Sequence, residues 1–266
     1  MPGIVISIIN NKGGCAKTTT TVNLAHALDK EGKNVLVIDN DSQCNTSTIL
    51  INNTSSINNT LYNLLSQNIP VTTCIYPTAY RRISLLPNDQ RTAALEIPLA
   101  KNMPESFFIY RNKLRDYVLR SFDITLIDNP PNLGFFVAAS LYMSDFVIVP
   151  NEAGSMFSFE GLLNAVEFIN EIRENGNSEL RFLRLLITKV DRRTNAAANI
   201  IRLIKETFEP NQIFETIIPV NAAFQQAELQ KQSIFKFQIN SPGAKAYRML
   251  AAELLAILEE NGGSRR

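Results

Sequence analysis

Cysteine, histidine and tryptophan are nearly missing from this chain: three Cys, one His and no Trp among 266 residues. The cysteines, Cys15, Cys44 and Cys74, are odd in number and lack metal-ligand spacing. That excludes a disulfide framework and a structural zinc centre, and it points to a reducing, cytosolic setting. The single histidine, His26, has no Ser or Cys nucleophile placed to use it, so its expected role is structural. An excess of one charge is missing too, since 26 Lys plus Arg stand against 25 Asp plus Glu for a net charge of +1. A protein that holds nucleic acid by overall charge is excluded, and any such contact must come from a local patch. No apolar run approaches the ~18 residues of a membrane span, and the opening MPGIVISIIN has neither the basic flank nor the cleavage site of a leader. Gly (11) and Pro (12) are too few for low complexity, and 45% hydrophobic content is too high for disorder. A chain of this length buries roughly three quarters of its unfolded surface. The expectation is one domain over 1–266, with a flexible tail from about 261 to 266.

What is present is a series of short, continuous apolar runs at 4–9, 35–39, 83–87, 124–128, 146–150, 182–190 and 217–220. Most do not alternate polar with apolar, which marks strands buried on both faces of a parallel sheet. Helical patterns lie between them, at 18–30 ending on Gly32, at 194–208, and at 242–258 behind the N-cap Ser241 and Pro242. This alternation predicts an α/β fold: a doubly wound, mostly parallel sheet with helices on both faces. The Asn/Ser/Thr-rich stretch 42–60 is the only polar island and is read as a surface loop.

Between the first run and the first helix stands Lys12-Gly13-Gly14-Cys15-Ala16-Lys17-Thr18-Thr19. Adjacent glycines let backbone N–H groups turn onto an anion, and the helix start adds partial positive charge. Lys17 is placed for β and γ phosphates and the Thr18 hydroxyl for Mg²⁺. A Gly-x4-Gly-Lys-Thr loop would need glycine where Asn11 and Ala16 stand, so this is not the standard phosphate loop. Asp39 and Asp41 end the second run two residues apart, on one side of an extended backbone. Asp128 ends the fourth run, ahead of the rigid Pro130-Pro131 turn. Both ends lie at the carboxyl edge of a parallel sheet, where ligands of open α/β folds bind.

With a second lysine ahead of the glycine pair, the loop resembles the deviant Walker A motif, KGGxGKT, of the ParA/MinD family of partitioning ATPases, a P-loop NTPase type. The segments Ile38-Asp39-Asn40-Asp41-Ser42-Gln43, Ile127-Asp128-Asn129-Pro130-Pro131, Phe159-Glu160-Gly161-Leu162 and Ile218-Pro219-Val220-Asn221 match in order. Within that family the chain resembles the short, Soj-like ParA form. Ala16 departs from the family glycine; its methyl would crowd the phosphates unless φ is negative there. The resemblance implies an ATP- and Mg²⁺-dependent sandwich homodimer in which Lys12 crosses to the partner's nucleotide. It also implies that Asp41 orients the attacking water, that Asp39 and Asp128 support magnesium through water, that Glu152 touches the partner's nucleotide, and that Pro219 and Asn221 form the adenine side.

A dimer of this kind would bind DNA non-specifically and be released when a ParB-like or adaptor partner stimulates hydrolysis. Plasmid or chromosome segregation at the nucleoid, in the cytoplasm, is the expected task. The alternatives are positioning of a protein cargo, such as a carboxysome or chemotaxis cluster, and a related ATP-dependent metabolic enzyme. Arg192, Arg193, Arg202, Lys205, Lys245 and Arg248 are the principal DNA candidates, with Lys231 and Lys236 beside them. The family's arginines near this segment are replaced by Val220 and Ala223. No apolar face accompanies the terminal Glu259-Glu260-Asn261-Gly262-Gly263-Ser264-Arg265-Arg266, so no membrane partner is expected.

Overall fold

Six of the seven apolar runs become strands, covered from both sides. The computed structural model describes residues 3–51 and 56–263. Its first half comprises β1 (Ile4–Ile8), α1 (Lys17–Lys30), β2 (Val35–Asp39), α2 (Asn45–Leu50), α3 (Leu61–Ser66), β3 (Tyr76–Pro77), β4 (Ile83–Leu86), α4 (Glu96–Ala100), α5 (Asp116–Ser121) and β5 (Ile124–Asp128). There follow α6 (Phe135–Met143), β6 (Phe146–Glu152), α7 (Met156–Asn175), β7 (Arg181–Thr188), α8 (Asn195–Thr207), α9 (Ala222–Leu229), α10 (Ile234–Phe237) and α11 (Pro242–Gly263). One 7-stranded sheet has the order β3-β4-β2-β5-β1-β6-β7, parallel except at β3. Along the central strands, Ile6, Ile8, Val35, Val37 and Leu126 cluster with α1 and α11. The intervening Val5, Leu36, Ile38 and Ile127 cluster with α3, α5 and α6 on the other face. Each such fully buried aliphatic side chain contributes roughly 1.5–3 kcal/mol of transfer free energy.

Register is what assembles the site. Asp39 pairs with Asp128 across β2 and β5, and Ile8 pairs with Asp128 across β1 and β5. Both carboxylates and the start of the phosphate loop therefore share one edge of the sheet.

Three expectations need correction. The run 217–220 is no strand: it makes a single bridge, Val190 to Pro219, because left-handed Lys189 breaks the register between the Ile187 carbonyl, which accepts from Ile218 N, and Val190 N, which donates to the Ile218 carbonyl. Short β3, with Pro77 on the sheet edge, went unread. The polar island is not a plain loop, since α2 occupies its middle with Thr46 and Ser47 buried; residues 52–55 lie outside the described residues. At the C-terminus α11 continues past 258 to Gly263, so 261–263 join the helix, while 264–266 lie outside the described residues. Among the described residues no helix is long and apolar enough to cross a membrane.

Candidate nucleotide site

The loop 9–16 leaves β1 beside Asp128 and turns on left-handed residues at both Gly14 (φ 80) and Ala16 (φ 69). The negative φ that would make the Ala16 methyl harmless is thus absent, and an L-residue in this well costs roughly 1–2 kcal/mol. The conformation persists because the Ala16 carbonyl accepts from Thr20 N at 2.8 Å to open α1. Lys17 is buried, and its Nζ donates to the carbonyls of Asn10 (3.3 Å) and Lys12 (3.0 Å), arching over the loop. Burial lowers its pKa, opposed by the charge of Asp128. Lys12 Nζ donates to Ser155 Oγ and Ser158 Oγ, each at 3.0 Å, with Glu152 Oε2 at 3.9 Å. In a single chain the second lysine is therefore held in cis by the start of α7. Gly161 lets that helix come so close, because a Cβ there would lie 3.1 Å from Asn10 Oδ1 and 3.5 Å from Lys12 Cβ. Cys15 is buried, and its carbonyl accepts from Thr188 Oγ1 at 3.3 Å.

The carboxylates are short of positive charge. Asp128 is fully buried, and its Oδ2 accepts from Thr18 Oγ1 and Thr46 Oγ1, both at 2.7 Å. Burial pushes its pKa up to about 6, although these hydroxyls and Lys17 oppose the shift. Asp39 is equally buried, accepts from Ser47 N (2.8 Å) and Ser47 Oγ (2.7 Å), and is pushed up to about 7 by burial and by Asp128. Asp41 is partly exposed; its N–H donates to Asp39 Oδ1 at 3.2 Å and its Oδ1 accepts from Gln43 N at 3.0 Å. Among the described residues no set of His, Cys, Asp and Glu forms a metal cage by itself. A hard-oxygen edge of this kind, with the Thr18 hydroxyl and two underscreened carboxylates, fits Mg²⁺, which binds few protein groups and keeps water and phosphate oxygens. Thr46 and Ser47 were missed from sequence; their signal was hydroxyl density right after Asp41.

A cavity of about 630 Å³ joins these parts, lined by Gly13, Gly14, Ala16, Lys17, Thr18, Thr19, Asp41, Lys189, Pro219 and Asn221. Its size suits a nucleotide. Asn221 Oδ1 caps α9 by accepting from Ala223 N at 2.9 Å, while its Nδ2 is buried without a hydrogen-bond partner among the described residues. A buried orphan donor on the cavity wall is suited to a ligand acceptor such as a ring nitrogen. Lys189 was not among the sequence candidates. Glu152 sits beside Lys12 and is not among the residues that line this cavity.

Three of the basic candidates are engaged within the chain. Arg193 is committed to Asp191, with Nε at 2.9 Å and Nη2 at 2.7 Å from the carboxylate oxygens. Arg202 faces Glu206 at 4.0 Å on α8, and Arg248 donates to the Ile239 carbonyl at 3.3 Å. Arg192, Lys205 and Lys245 are exposed, as are Lys231 and Lys236. His26 is structural as expected: it is buried, lies 2.5 Å from Ser233 Oγ, and its ring packs 4.4 Å from Tyr80 and 5.1 Å from Phe235.

Comparison with known proteins agrees with this geometry. An AAA domain family model matches residues 3–182. The sporulation initiation inhibitor protein Soj of Bacillus subtilis is 30% identical over 96% of this chain and 99% of its own. The chromosome-partitioning ATPase Soj of Thermus thermophilus is 33% identical, covering 96% of each chain. Among solved structures, cobyrinic acid a,c-diamide synthase of Mycobacterium smegmatis, with bound ADP and magnesium, superposes with a TM-score of 0.83 at 24% identity over 97% of this chain and 96% of that one. The cell division ATPase MinD of Pyrococcus furiosus gives 0.76 at 22% identity over 96% and 99%. A loop carrying Lys12 and Lys17, three carboxylates at one sheet edge, and full-length similarity to Soj place this chain in the Soj/ParA family of P-loop ATPases.

Proposed function

We propose that this protein is an ATP-switched positioning ATPase, and the observation that carries the reading is one cavity lined by Lys17, Thr18 and Asp41, with Asp128 hydrogen-bonded to Thr18, Asp39 paired with Asp128 across the sheet, and the Lys12 carbonyl holding Lys17. Gly13, Gly14, Cys15, Lys17, Thr18 and Thr19 would hold the phosphates of ATP, and Asn221 with Pro219 the base. Thr18 would ligate Mg²⁺ directly, with Asp39 and Asp128 acting through water. Bound magnesium would supply charge neutralisation on the phosphates. Asp41, beside the loop with one carboxylate oxygen still without a described donor, would orient the attacking water. Lys12 would exchange Ser155 and Ser158 for a partner subunit's nucleotide, making dimerisation sense ATP, with Glu152 next to that crossing.

The closed homodimer would bind DNA without sequence preference through the exposed Arg192, Lys205 and Lys245, with Arg193, Arg202 and Arg248 available only once freed from their present contacts. A ParB-like or adaptor partner would trigger hydrolysis and release at the nucleoid, most simply in plasmid or chromosome segregation. The decisive test is a fluorescence-anisotropy titration of DNA with ATP, ADP or no nucleotide. Binding with ATP alone, weakening with salt at a log–log slope of roughly −0.9 per phosphate contact, supports the proposal. Equal binding in all three states would remove the switch, and no binding in any would favour protein cargo or ATP-dependent metabolic chemistry.

A further inference from the structure

Of three lysines around the phosphate loop, two are engaged within the chain: Lys12 on hydroxyls of α7, and Lys17 on loop carbonyls. The third, Lys189, lines the same cavity and has no hydrogen bond or ion pair through its Nζ among the described residues. A Cβ built on Gly14 would meet Lys189 Nζ at 3.9 Å and nothing else within 4 Å. The free ammonium thus stands over the left-handed glycine of the loop, where inward-turned N–H groups form a concavity for an anion.

The backbone holds it there. Lys189 has φ 52, a conformation a non-glycine residue keeps only where its surroundings fix it. On one side Thr188 Oγ1 donates to the Cys15 carbonyl at 3.3 Å, and the Thr188 carbonyl accepts from Ala153 N at 3.1 Å. On the other, Val190 N donates to the Ile218 carbonyl and accepts through its own carbonyl from Val220 N, both at 3.1 Å. Residue 189 is therefore pinned between the loop and the Pro219–Asn221 wall, and its side chain is directed across the cavity rather than along the sheet.

We propose that Lys189 is a further nucleotide-binding residue, whose ammonium donates in cis to the polyphosphate at Gly14. It serves a lone subunit, because it needs neither a second chain nor release from Ser155 and Ser158. This rests on the cavity being a nucleotide site, and not on DNA or cargo.

The test is titration of the full chain with mant-ADP and Mg²⁺, and competition by AMP, without DNA, for the parent, Lys189→Met and Lys189→Arg. Methionine keeps an unbranched stem without the charge. Lys189→Met should weaken ADP about tenfold, the scale of one charge-assisted hydrogen bond. It should leave AMP and the ligand-free melting temperature unchanged, and Lys189→Arg should retain ADP affinity. Parental ADP binding by Lys189→Met, or equal loss for AMP and ADP, would overturn the inference while leaving the cavity reading intact. A parent chain that binds neither nucleotide would overturn both.

Discussion

Ala16→Gly tests the loop at its point of strain. Ala16 has φ 69, and its carbonyl starts α1. The left-handed well costs alanine roughly 1–2 kcal/mol, which glycine does not incur. Glycine gives back roughly 0.5–1 kcal/mol through its greater loss of freedom on folding. The net expectation is a variant more stable by about 0.5–1 kcal/mol, equivalent to a melting temperature higher by roughly 1–4 °C in a protein of this size. Urea unfolding without nucleotide reads the stability, and Ala16→Val should move it the other way, because a branched Cβ fits this well worse. Ala16 lines the cavity with the positive φ at which its methyl crowds the phosphates, so Ala16→Gly should also tighten ADP binding. A neutral or destabilised Ala16→Gly would refute the strain reasoning, and an unchanged ADP affinity would show that the methyl does not crowd the phosphates.

Lys12→Ala should still bind ATP, since Lys17, Thr18 and the loop amides remain, but should lose the ATP-dependent monomer-to-dimer shift in light scattering; dimerisation like the parent's would refute the trans role. Asp41→Ala should bind ATP yet stop hydrolysing it, accumulating the closed dimer; normal turnover in a phosphate-release assay would remove the water-orienting assignment. His26 has a pKa lowered to about 4 by burial, with the charges of Lys30 and Lys236 adding to the shift. Because the folded value lies below the unfolded 6.5, its stabilising contribution is complete above that pH and is lost as pH falls towards 4, by up to about 3 kcal/mol. Asp39, raised to about 7, acts oppositely, gaining stability as pH falls from 7 towards 4. The quantity to measure is therefore the parent-minus-His26→Gln difference in urea unfolding at pH 7 and about pH 4.5; a difference that does not change with pH would show that His26 is not held neutral.

The central sheet and the phosphate loop were legible because their signals are local. Continuous apolar runs mark β1, β2, β5, β6 and β7, and the Lys-Gly-Gly segment carries its own chemistry. What was not legible depends on contacts distant in sequence. Thr46 reaches Asp128 across 82 positions and Thr188 reaches Cys15 across 173. Lys189 lay inside the apolar run 182–190, and only the left-handed backbone and the packing of β7 beside the loop reveal where its ammonium stands. The run 217–220 failed because of its partner, where left-handed Lys189 interrupts the register. Among the basic residues the sequence offered little beyond the three-residue spacing of Lys245 and Arg248, and Arg193 shows why a count of arginines misleads: its guanidinium is already shared with Asp191.

The two sides of the cavity carry opposite, unresolved charges. On the strand side, Asp39 and Asp128 are buried with pKa values raised to about 7 and about 6, so their ionised forms are stabilised too little by the hydroxyls around them. On the loop side, Lys12, Lys17 and Lys189 supply positive charge, and among the described residues only Lys12 has a carboxylate within ion-pair distance. A divalent cation relieves the first side and a polyphosphate the second. Either alone would leave the other side uncompensated in a low-dielectric setting, where unpaired charge is costly. The arrangement therefore favours taking up both together, as a metal–nucleotide pair, and Thr18, which donates to Asp128 while opening α1, stands where the two halves meet.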